Sequence, residues 1–320
     1  MDYGLTHDID TRIRPLLTGN KCVAWIGSGL SKVLKYPSWK DAIDAMCGAC
    51  GVPPVIPSHL KVGRFADVMM DTAQKCKQTN ATAYAQVVHD LFVADTYSAR
   101  SSVDYLVQLP FAGYITTNLD HSLERAVRRV AHGEPSAYAY PRLPIAFMFR
   151  EPKPIYHIHG AASHDYSKPF VMSRAEYDDA YHSPALTSFL EQLLTEFDIV
   201  FVGCSLDEPD LEAVFERIHP LIKRLGGLSP STVPSLGPSR QVIVPAKTLP
   251  VSKARGGRGP TISARDTRAE QDEDNRFAAL GIGTIRYVAD ERHTAVDEIF
   301  EYLYRSNGGT TDYTIRAEYV

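Results

Sequence analysis

Short apolar runs alternate with longer amphipathic stretches along this chain of 320 residues. Apolar runs bounded by turn residues predict buried strands, and apolar positions that recur every three or four residues predict helices. Strands are expected at residues 22–26, 111–117, 154–160, 198–203, 240–245 and 284–288, with a small edge strand at 167–172. Helices are expected at residues 5–18, 39–49, 60–78, 80–95, 101–108, 121–130, 173–181 and 184–196, in a stretch that ends at 217, and at 267–280 and 294–305.

This alternation predicts one α/β domain over residues 1–306, with a Rossmann-like, doubly wound parallel sheet. Residues 52–108 contain helical patterns but no strand, and they are expected to form an inserted helical subdomain. The stretches 225–239 and 250–266 are rich in Pro, Gly and Ser and are expected to be flexible loops. The basic residues of the second stretch offer an alternative, a contact surface for a partner. Residues 307–320 are expected to be a tail or the start of a further region.

The composition of the chain limits the binding partners and the cellular compartment that can be expected for the protein. The net charge of −4 gives no reason to expect nucleic acid or an anionic membrane as a partner. The N-terminus has no signal-peptide core, and no apolar run approaches the length of about 18 residues that a membrane span needs. Five cysteines are an odd and sparse number for a disulfide scaffold, so a cytoplasmic location is expected.

Small polar motifs occur at the ends of four expected strands. They are Gly27-Ser-Gly-Leu-Ser31, Thr116-Thr-Asn-Leu-Asp120, His157-Ile-His-Gly160 and Gly203-Cys-Ser-Leu206. Parallel sheets bind ligands at the carboxyl ends of their strands, so the four motifs are expected to surround one ligand. The glycines of the first motif permit a tight turn whose N–H groups can approach a phosphate.

In order and spacing, these four motifs resemble those of the sirtuin (Sir2) superfamily. Tyr36-Pro-Ser-Trp39 and Phe201-Val-Gly-Cys-Ser-Leu-Asp-Glu-Pro-Asp210 are more similar to the sirtuin-like domains of prokaryotic anti-phage defence proteins than to the protein deacylases. The resemblance extends over about residues 15–305. It implies an NAD-binding domain that takes NAD+ as its substrate.

The resemblance also implies two catalytic residues, Asn118 and His159. Asn118 would hold the ribose hydroxyls or a water molecule, and a neutral His159 would take a proton from a ribose hydroxyl or from the attacking water. Asp120 would accept a hydrogen bond from the carboxamide of nicotinamide. The other implied cofactor-binding residues are Gly27, Ser28, Gly29 and Ser31 around the pyrophosphate, Thr117, and Gly203, Ser205 and Asp207 on the adenosine side.

Structural roles compete with these assignments. Asn118 or Asp120 could instead cap the helix that begins at His121, and His159 could be a core histidine bonded to the main chain. His157 precedes His159 by two residues, on the same side of a regular strand, and is therefore a rival for the role of base. His159 is preferred because the family has its histidine directly before the glycine.

Protein-deacylating sirtuins carry a zinc ribbon built from two Cys-x-x-Cys pairs. Cys47 and Cys50 form the only such pair in this chain, so no zinc is expected. Without the ribbon the cleft for an acetyl-lysine peptide is in doubt, and water becomes the expected acceptor. The resemblance then implies an NAD+ hydrolase (NAD+ glycohydrolase) that releases nicotinamide and ADP-ribose, as the effector of an anti-phage abortive-infection system.

Two other functions stay open on the same residues. One is an NAD-dependent protein deacylase or an ADP-ribosyltransferase, and the other is a non-catalytic module that senses NAD or ADP-ribose. Uncontrolled hydrolysis of NAD+ would kill the cell that makes the enzyme. The activity is therefore expected to be gated by homo-oligomerisation, by a sensor or activator protein, or by a further domain.

Overall fold

Strands and helices alternate in a computed structural model, which describes residues 3–19, 21–53, 65–93, 102–130, 133–143, 151–206, 209–226, 239–249, 264–289 and 294–309. The strands are β1 (Cys22–Ile26), β2 (Gly113–Thr116), β3 (Ala137–Ala139), β4 (Ile155–His157), β5 (Asp198–Val202), β6 (Arg240–Pro245), β7 (Thr248–Leu249), β8 (Ala264–Arg265) and β9 (Gly283–Tyr287). The helices are α1 (Tyr3–Asp8), a π-helical turn (Ile9–Ile13), α2 (Arg14–Leu17), α3 (Ser28–Val33), α4 (Trp39–Cys50), α5 (Phe65–Thr79), α6 (Ala81–Val93), α7 (Ser102–Gln108), α8 (Ser122–Val130), α9 (Arg174–Tyr181), α10 (Pro184–Glu196), α11 (Pro209–Gly226), α12 (Thr267–Ala279) and α13 (Thr294–Ser306).

Seven of the strands form one parallel sheet, in the order β3-β4-β2-β1-β5-β6-β9, and β7 and β8 form a short antiparallel ribbon. The predicted α/β fold with a doubly wound parallel sheet is confirmed. The chain first builds the half of the sheet that contains β1 to β4, and then returns to the other side of β1 with β5. Sheets of this kind bind ligands at such a switch point, beyond the carboxyl ends of the strands.

The four strands that carry the polar motifs are neighbours and end at the same level. Ile26 of β1 pairs with Thr116 of β2 on one side and with Val202 of β5 on the other. Thr116 in turn pairs with His157 of β4. The four motifs therefore begin side by side along one edge of the sheet.

Helices cover both faces of the sheet, which explains the continuous apolar runs of its strands. Successive side chains of β1 point to opposite faces, so Trp25 joins a core beneath α9, α10, α11 and α12, whereas Ala24 joins a core beneath α1, α2, α7, α8 and α13. Trp25 is fully buried and packs on Phe201 and Phe215, with ring centroids 5.5 and 6.3 Å apart.

Helices α4, α5 and α6 form a small subdomain with an apolar core of their own. Met46, Met69 and Val88 belong to this core, which also contacts Leu119 and Phe170 beside the carboxyl ends of β2 and β4. Its boundaries differ from residues 52–108, because α4 belongs to it and α7 does not. Helix α7 packs against α8 and α13 on the sheet, where its apolar positions are covered.

Local details both confirm and correct the sequence predictions. Ser38 caps α4 as its sequence context indicates, in a capping box with Asp41. Strand β3 was not predicted, because three residues are too few to display a period. The edge strand expected at 167–172 is instead a single antiparallel bridge between Gly160 and Phe170. Most of the stretches 225–239 and 250–266, and residues 310–320 of the tail, lie outside the described residues.

Candidate functional site

A cavity of about 430 Å³ lies at the carboxyl ends of β1, β2 and β5, where the helical subdomain meets the sheet. This volume is in the ordinary range for small-molecule sites, about 300–1,000 Å³. Every cofactor or catalytic residue predicted from the sequence lines it except Asp207, which lies outside the described residues: Gly27, Ser28, Gly29, Ser31, Thr117, Asn118, Asp120, His159, Gly203 and Ser205.

Ser31, Asn118 and Asp120 form one hydrogen-bonded chain in the wall of the cavity. The Ser31 hydroxyl donates to Oδ2 of Asp120 at 2.6 Å and accepts a hydrogen bond from Nδ2 of Asn118 at 2.8 Å. Ser31 and Asp120 are buried, so loss of the hydroxyl would leave a buried carboxylate oxygen without this donor. The network connects the motif after β1 with the motif after β2.

The Asn118 side chain is held in one orientation. Its second amide hydrogen donates to the carbonyl oxygen of Gly27 at 3.0 Å, so both N–H bonds of the amide are used by the protein. Its backbone N–H donates to Oγ1 of Thr116 at 3.0 Å. Within the described part of the chain Oδ1 of Asn118 accepts no hydrogen bond, which leaves this oxygen as the group that can bind a ligand hydroxyl or a water.

Asp120, and not Asn118, caps the helix that follows. Oδ1 of Asp120 accepts a hydrogen bond from the N–H of Ser122 at 2.9 Å, at the start of α8. Both carboxylate oxygens of Asp120 therefore have protein partners, although the residue also lines the cavity. The capping role that competed with ligand binding is real for Asp120.

The motifs after β1 and β5 fit together through their glycines. The N–H groups of Gly27 and Gly29 donate to the carbonyl oxygens of Val202 and Gly203, each at 2.9 Å. A Cβ atom on Gly27 would lie 2.5 Å from the Gly203 oxygen, and one on Gly29 would lie 2.9 Å from the Gly203 Cα. These two amides are thus bonded within the protein, as is that of Leu30, which donates to the Gly27 oxygen at 3.2 Å.

His159 lines the cavity between aromatic rings. It is 2% exposed, its Nε2 lies 2.9 Å from the Tyr181 hydroxyl, and its ring meets the edge of Tyr177. Burial lowers the pKa of His159 to about 3, so the imidazole is neutral at neutral pH. A neutral ring can accept a proton, which is what the predicted role requires.

His157 lies outside the cavity, on the other face of the sheet from His159. Its Nδ1 donates to the backbone oxygen of Asn118 at 3.0 Å, and its Nε2 lies 3.0 Å from Oε1 of Glu124 on α8. The expectation that both histidines point to the same side is wrong. Strand β4 ends at His157, and the chain then turns through Gly160, whose φ is 84°, so the strand alternation does not extend to His159.

The β5 motif forms the far wall of the cavity. The Cys204 thiol is buried and lies 3.4 Å from the carbonyl oxygen of Trp25. Arg276 of α12 donates to the backbone oxygens of Ser205 and Leu206, at 2.7 and 3.1 Å, and thereby holds the turn.

Much of the apolar lining was not identified from the sequence. The helical subdomain contributes Ala66, Met69, Met70 and Phe92, and the segment before α4 contributes Tyr36 and Pro37. Val171 and Met172 come from the segment that leads into α9, and Tyr177 comes from α9 itself. Tyr36 and Pro37 belong to the Tyr36-Pro-Ser-Trp39 motif, but the other residues have the apolar character of an ordinary core and follow no motif. The four-residue spacing of Tyr177 and Tyr181 on one helix face was the one detectable signal.

None of the five cysteines forms a disulfide, and all five are buried. Cys47 and Cys50 lie on one side of α4 and share the subdomain core with Cys76 of α5. No helix in the described ranges combines the length and apolar character that crossing a bilayer would require.

Comparison with known proteins agrees with this architecture. The family model described as "SIR2-like domain" matches residues 112–232, from the start of β2 to beyond α11. The NAD(+) hydrolase ThsA of Bacillus cereus (strain MSX-D12) is 22% identical over 200 residues, which are 62% of this chain and 40% of that protein. The NAD(+) hydrolase ThsA of Cytobacillus dafuensis is 24% identical over 207 residues, 62% of this chain and 38% of that protein.

The chain thus spans about two fifths of the length of the curated relatives it matches. Three of the four strand-end motifs lie within the matched segment, and the first, at Gly27, joins them in space through Gly203. The sequence resemblance to sirtuin-like proteins is confirmed, because residues 112–232 match the SIR2-like domain model.

Proposed function

We propose that this protein is an NAD+ hydrolase. In the proposed reaction the bond between ribose C1′ and the nicotinamide nitrogen breaks, and a bond forms from C1′ to the oxygen of water. The products are nicotinamide, ADP-ribose and a proton. The observation that carries the proposal is one cavity in which Asn118 has its amide hydrogens fixed and its Oδ1 available, and which a neutral His159 also lines. The names of the two relatives support the same chemistry.

Asn118 acts in this proposal as an acceptor. Cleavage of the glycosidic bond builds positive charge on the ribose, because nicotinamide leaves as a neutral ring. An amide oxygen that binds the attacking water or a ribose hydroxyl orients it and stabilises that charge without ionising. Ser31 and Gly27 hold the amide so that its oxygen cannot rotate away.

His159 acts as the proton acceptor. Burial strongly disfavours the charged form of His159, which makes it a weak base. The pyrophosphate of bound NAD+ brings negative charge into the same cavity and raises the pKa of a nearby imidazole. The base therefore gains strength when the substrate is bound, and Tyr181 keeps the ring in position.

The helical subdomain supplies an apolar wall over the site. Met69, Met70 and Phe92 offer surfaces on which a nicotinamide or adenine ring can pack.

The proposed biological role is that of an effector that depletes NAD+ in an anti-phage, abortive-infection response in the bacterial cytoplasm. Control by homo-oligomerisation, or by a sensor or activator protein, is part of this proposal.

The test is release of nicotinamide from NAD+ by purified protein, with no peptide added. Wild type is expected to turn over, and Asn118→Ala and His159→Ala are each expected to lose at least about 100-fold in rate, the usual contribution of a positioned acid–base group. His89→Ala is the matched control. His89 is also a fully buried histidine, but it bonds to Ser163 and Lys168 away from the cavity. Equal losses in all three variants would contradict the site assignment.

The same assay separates the alternatives. A deacylase or ADP-ribosyltransferase would release nicotinamide only when an acetylated peptide or another acceptor is added. A sensing module would bind NAD+ and leave it intact under every condition. Either result would overturn the hydrolase proposal.

A further inference from the structure

Two imidazole rings and one carboxylate converge behind the wall that carries Asn118. The atoms Nδ1 of His121 and Nε2 of His157 lie 2.9 and 3.0 Å from the same oxygen, Oε1 of Glu124. The three donor atoms all lie within 4.8 Å of one another. Glu124 lies in the first turn of α8, and His121 directly precedes this helix, three residues before Glu124. His157 joins them from the end of β4.

The outer nitrogen of each ring is already bonded to a main-chain carbonyl. Nε2 of His121 donates to the oxygen of Ala162 at 2.6 Å, and Nδ1 of His157 donates to the oxygen of Asn118 at 3.0 Å. A carbonyl can only accept, so these outer nitrogens carry hydrogens. Metal-binding histidines are oriented in this way, with the second N–H donated to a carbonyl or carboxylate.

The inner nitrogens, Nδ1 of His121 and Nε2 of His157, face Oε1 of Glu124 and therefore need a positive charge between them and this oxygen. In a neutral ring whose outer nitrogen carries the hydrogen, the inner nitrogen has a bare lone pair, and here that lone pair faces a carboxylate oxygen. Either two protons or one metal ion can resolve this repulsion. Two protons would make two adjacent cations around a single anion, in a site where His157 is 1% exposed.

Glu124 has a further ligand atom to offer. Its Oε2 is buried and has no hydrogen-bond partner within the described part of the chain. A buried carboxylate oxygen without a partner is costly in a structure of hydrogen bonds alone, but it can complete the coordination of a metal ion. The side chain of His121 is 30% exposed, which gives an ion a route to the site.

We propose that His121, Glu124 and His157 bind a first-row divalent cation, with Zn²⁺ the best match to two imidazoles and a carboxylate. The donor set suits zinc and its neighbours, and it excludes magnesium and calcium, which prefer oxygen ligands. This site is separate from the cysteine-based ribbon of the deacylases. The ion would join α8 to β4 and, through His157, would fix the backbone of Asn118.

The test uses Co²⁺ as a spectroscopic substitute on the full chain after removal of metal with a chelator. Wild type is expected to bind about one Co²⁺ per chain, with visible bands of a nitrogen and oxygen site, without thiolate charge transfer, and with displacement by Zn²⁺. Glu124→Gln, His157→Gln and His121→Asn are each expected to weaken binding at least about 100-fold, since outer-shell changes alone cost about 10–100-fold.

Two controls keep the result interpretable. His89→Gln alters a buried histidine outside the cluster, and Cys47→Ser combined with Cys50→Ser and Cys76→Ser removes the clustered thiols. Both are expected to bind Co²⁺ as wild type does. His121→Asn changes the most exposed of the three ligands, and circular dichroism verifies that this variant is folded. Absence of saturable binding by wild type, binding unchanged in His121→Asn, or loss of binding only in the cysteine variant would each overturn the proposal.

Discussion

At the scale of single residues, hydrogen bonds within the protein hold the side chains of Ser31, Asn118 and Asp120 in place. The Ser31 hydroxyl is the centre of this arrangement, because it donates to Asp120 and accepts from Asn118. The competing roles weighed from the sequence therefore have different outcomes. Asp120 caps a helix and also lines the cavity, whereas Asn118 lines the cavity with an Oδ1 that accepts no hydrogen bond from the described residues.

Ser31→Ala is expected to reduce NAD+ turnover by more than about tenfold and to lower the free energy of unfolding by about 1–3 kcal/mol, because it removes a donor from buried Asp120 and frees the Asn118 amide. Turnover and denaturant unfolding measure the two effects. Ser167→Ala is the control, since its hydroxyl makes a 2.6 Å bond to Asp165 at an exposed position. Wild-type turnover in Ser31→Ala would show that the network does not hold Asn118.

Two glycines provide a matched pair for stability. A Cβ on Gly27 would meet main-chain atoms of Gly203 and Cys204 at 2.5 and 2.8 Å, whereas a Cβ on Gly48 in α4 would meet nothing within 4 Å. Gly27→Ala is therefore expected to destabilise the protein by more than about 1–3 kcal/mol, the usual cost of overpacking. Gly48→Ala is expected to stabilise it by up to about 1 kcal/mol, as alanine does in a helix. Thermal unfolding measures both, and a harmless Gly27→Ala would contradict the close contact of the two motifs.

At the scale of elements, the position of the site follows from how helices are fastened to the sheet. Asn118 and Asp120 lie in the segment that leads into helix α8. This helix is fixed to α7 by an ion pair between Arg129 and Asp104, both of which are buried. The neighbouring pair Arg128–Glu134 is exposed, with a distance of 3.0 Å. The two arginines are adjacent in sequence but differ completely in environment.

Arg129→Ala is expected to lower the free energy of unfolding by about 3–5 kcal/mol, because it leaves the Asp104 charge buried without its partner. Arg128→Ala is expected to change it by less than about 1 kcal/mol, as is usual for exposed pairs. Urea titration of both variants measures the difference. Similar small effects in the two would mean that water reaches Asp104.

At the scale of the whole molecule, the sequence predicted the sheet and the location of the site but not the full enclosure of the cavity. The ends of the strands can be predicted because each apolar run stops at a small polar motif. The site can then be located because parallel strands bring their carboxyl ends together. The contributions of Met69, Phe92 and Tyr177 were missed because they come from distant segments and look like ordinary core positions. The relative orientation of His157 and His159 was mispredicted because strand β4 ends at His157, so its alternation does not extend to His159.

Burial of the cysteines makes a further prediction at this scale. Burial raises the pKa of Cys76 to about 12 and also raises the pKa values of Cys22 and Cys50. These thiols therefore remain protonated and inaccessible at pH values where a free thiolate reacts, near pH 8. A thiol reagent followed by mass spectrometry is expected to label none of the three in the native protein and all of them in denaturant. Native labelling of Cys50 and Cys76 would show that the helical subdomain opens.

We propose above that the protein hydrolyses NAD+ in the cavity that Asn118 and His159 line. The most direct measurement is a time course of NAD+, nicotinamide and ADP-ribose with the purified protein in the absence of any peptide. The account predicts that nicotinamide and ADP-ribose appear in equal amounts as NAD+ disappears. NAD+ that binds to the protein and remains intact, with or without added oligomerising or activating partners, would contradict it.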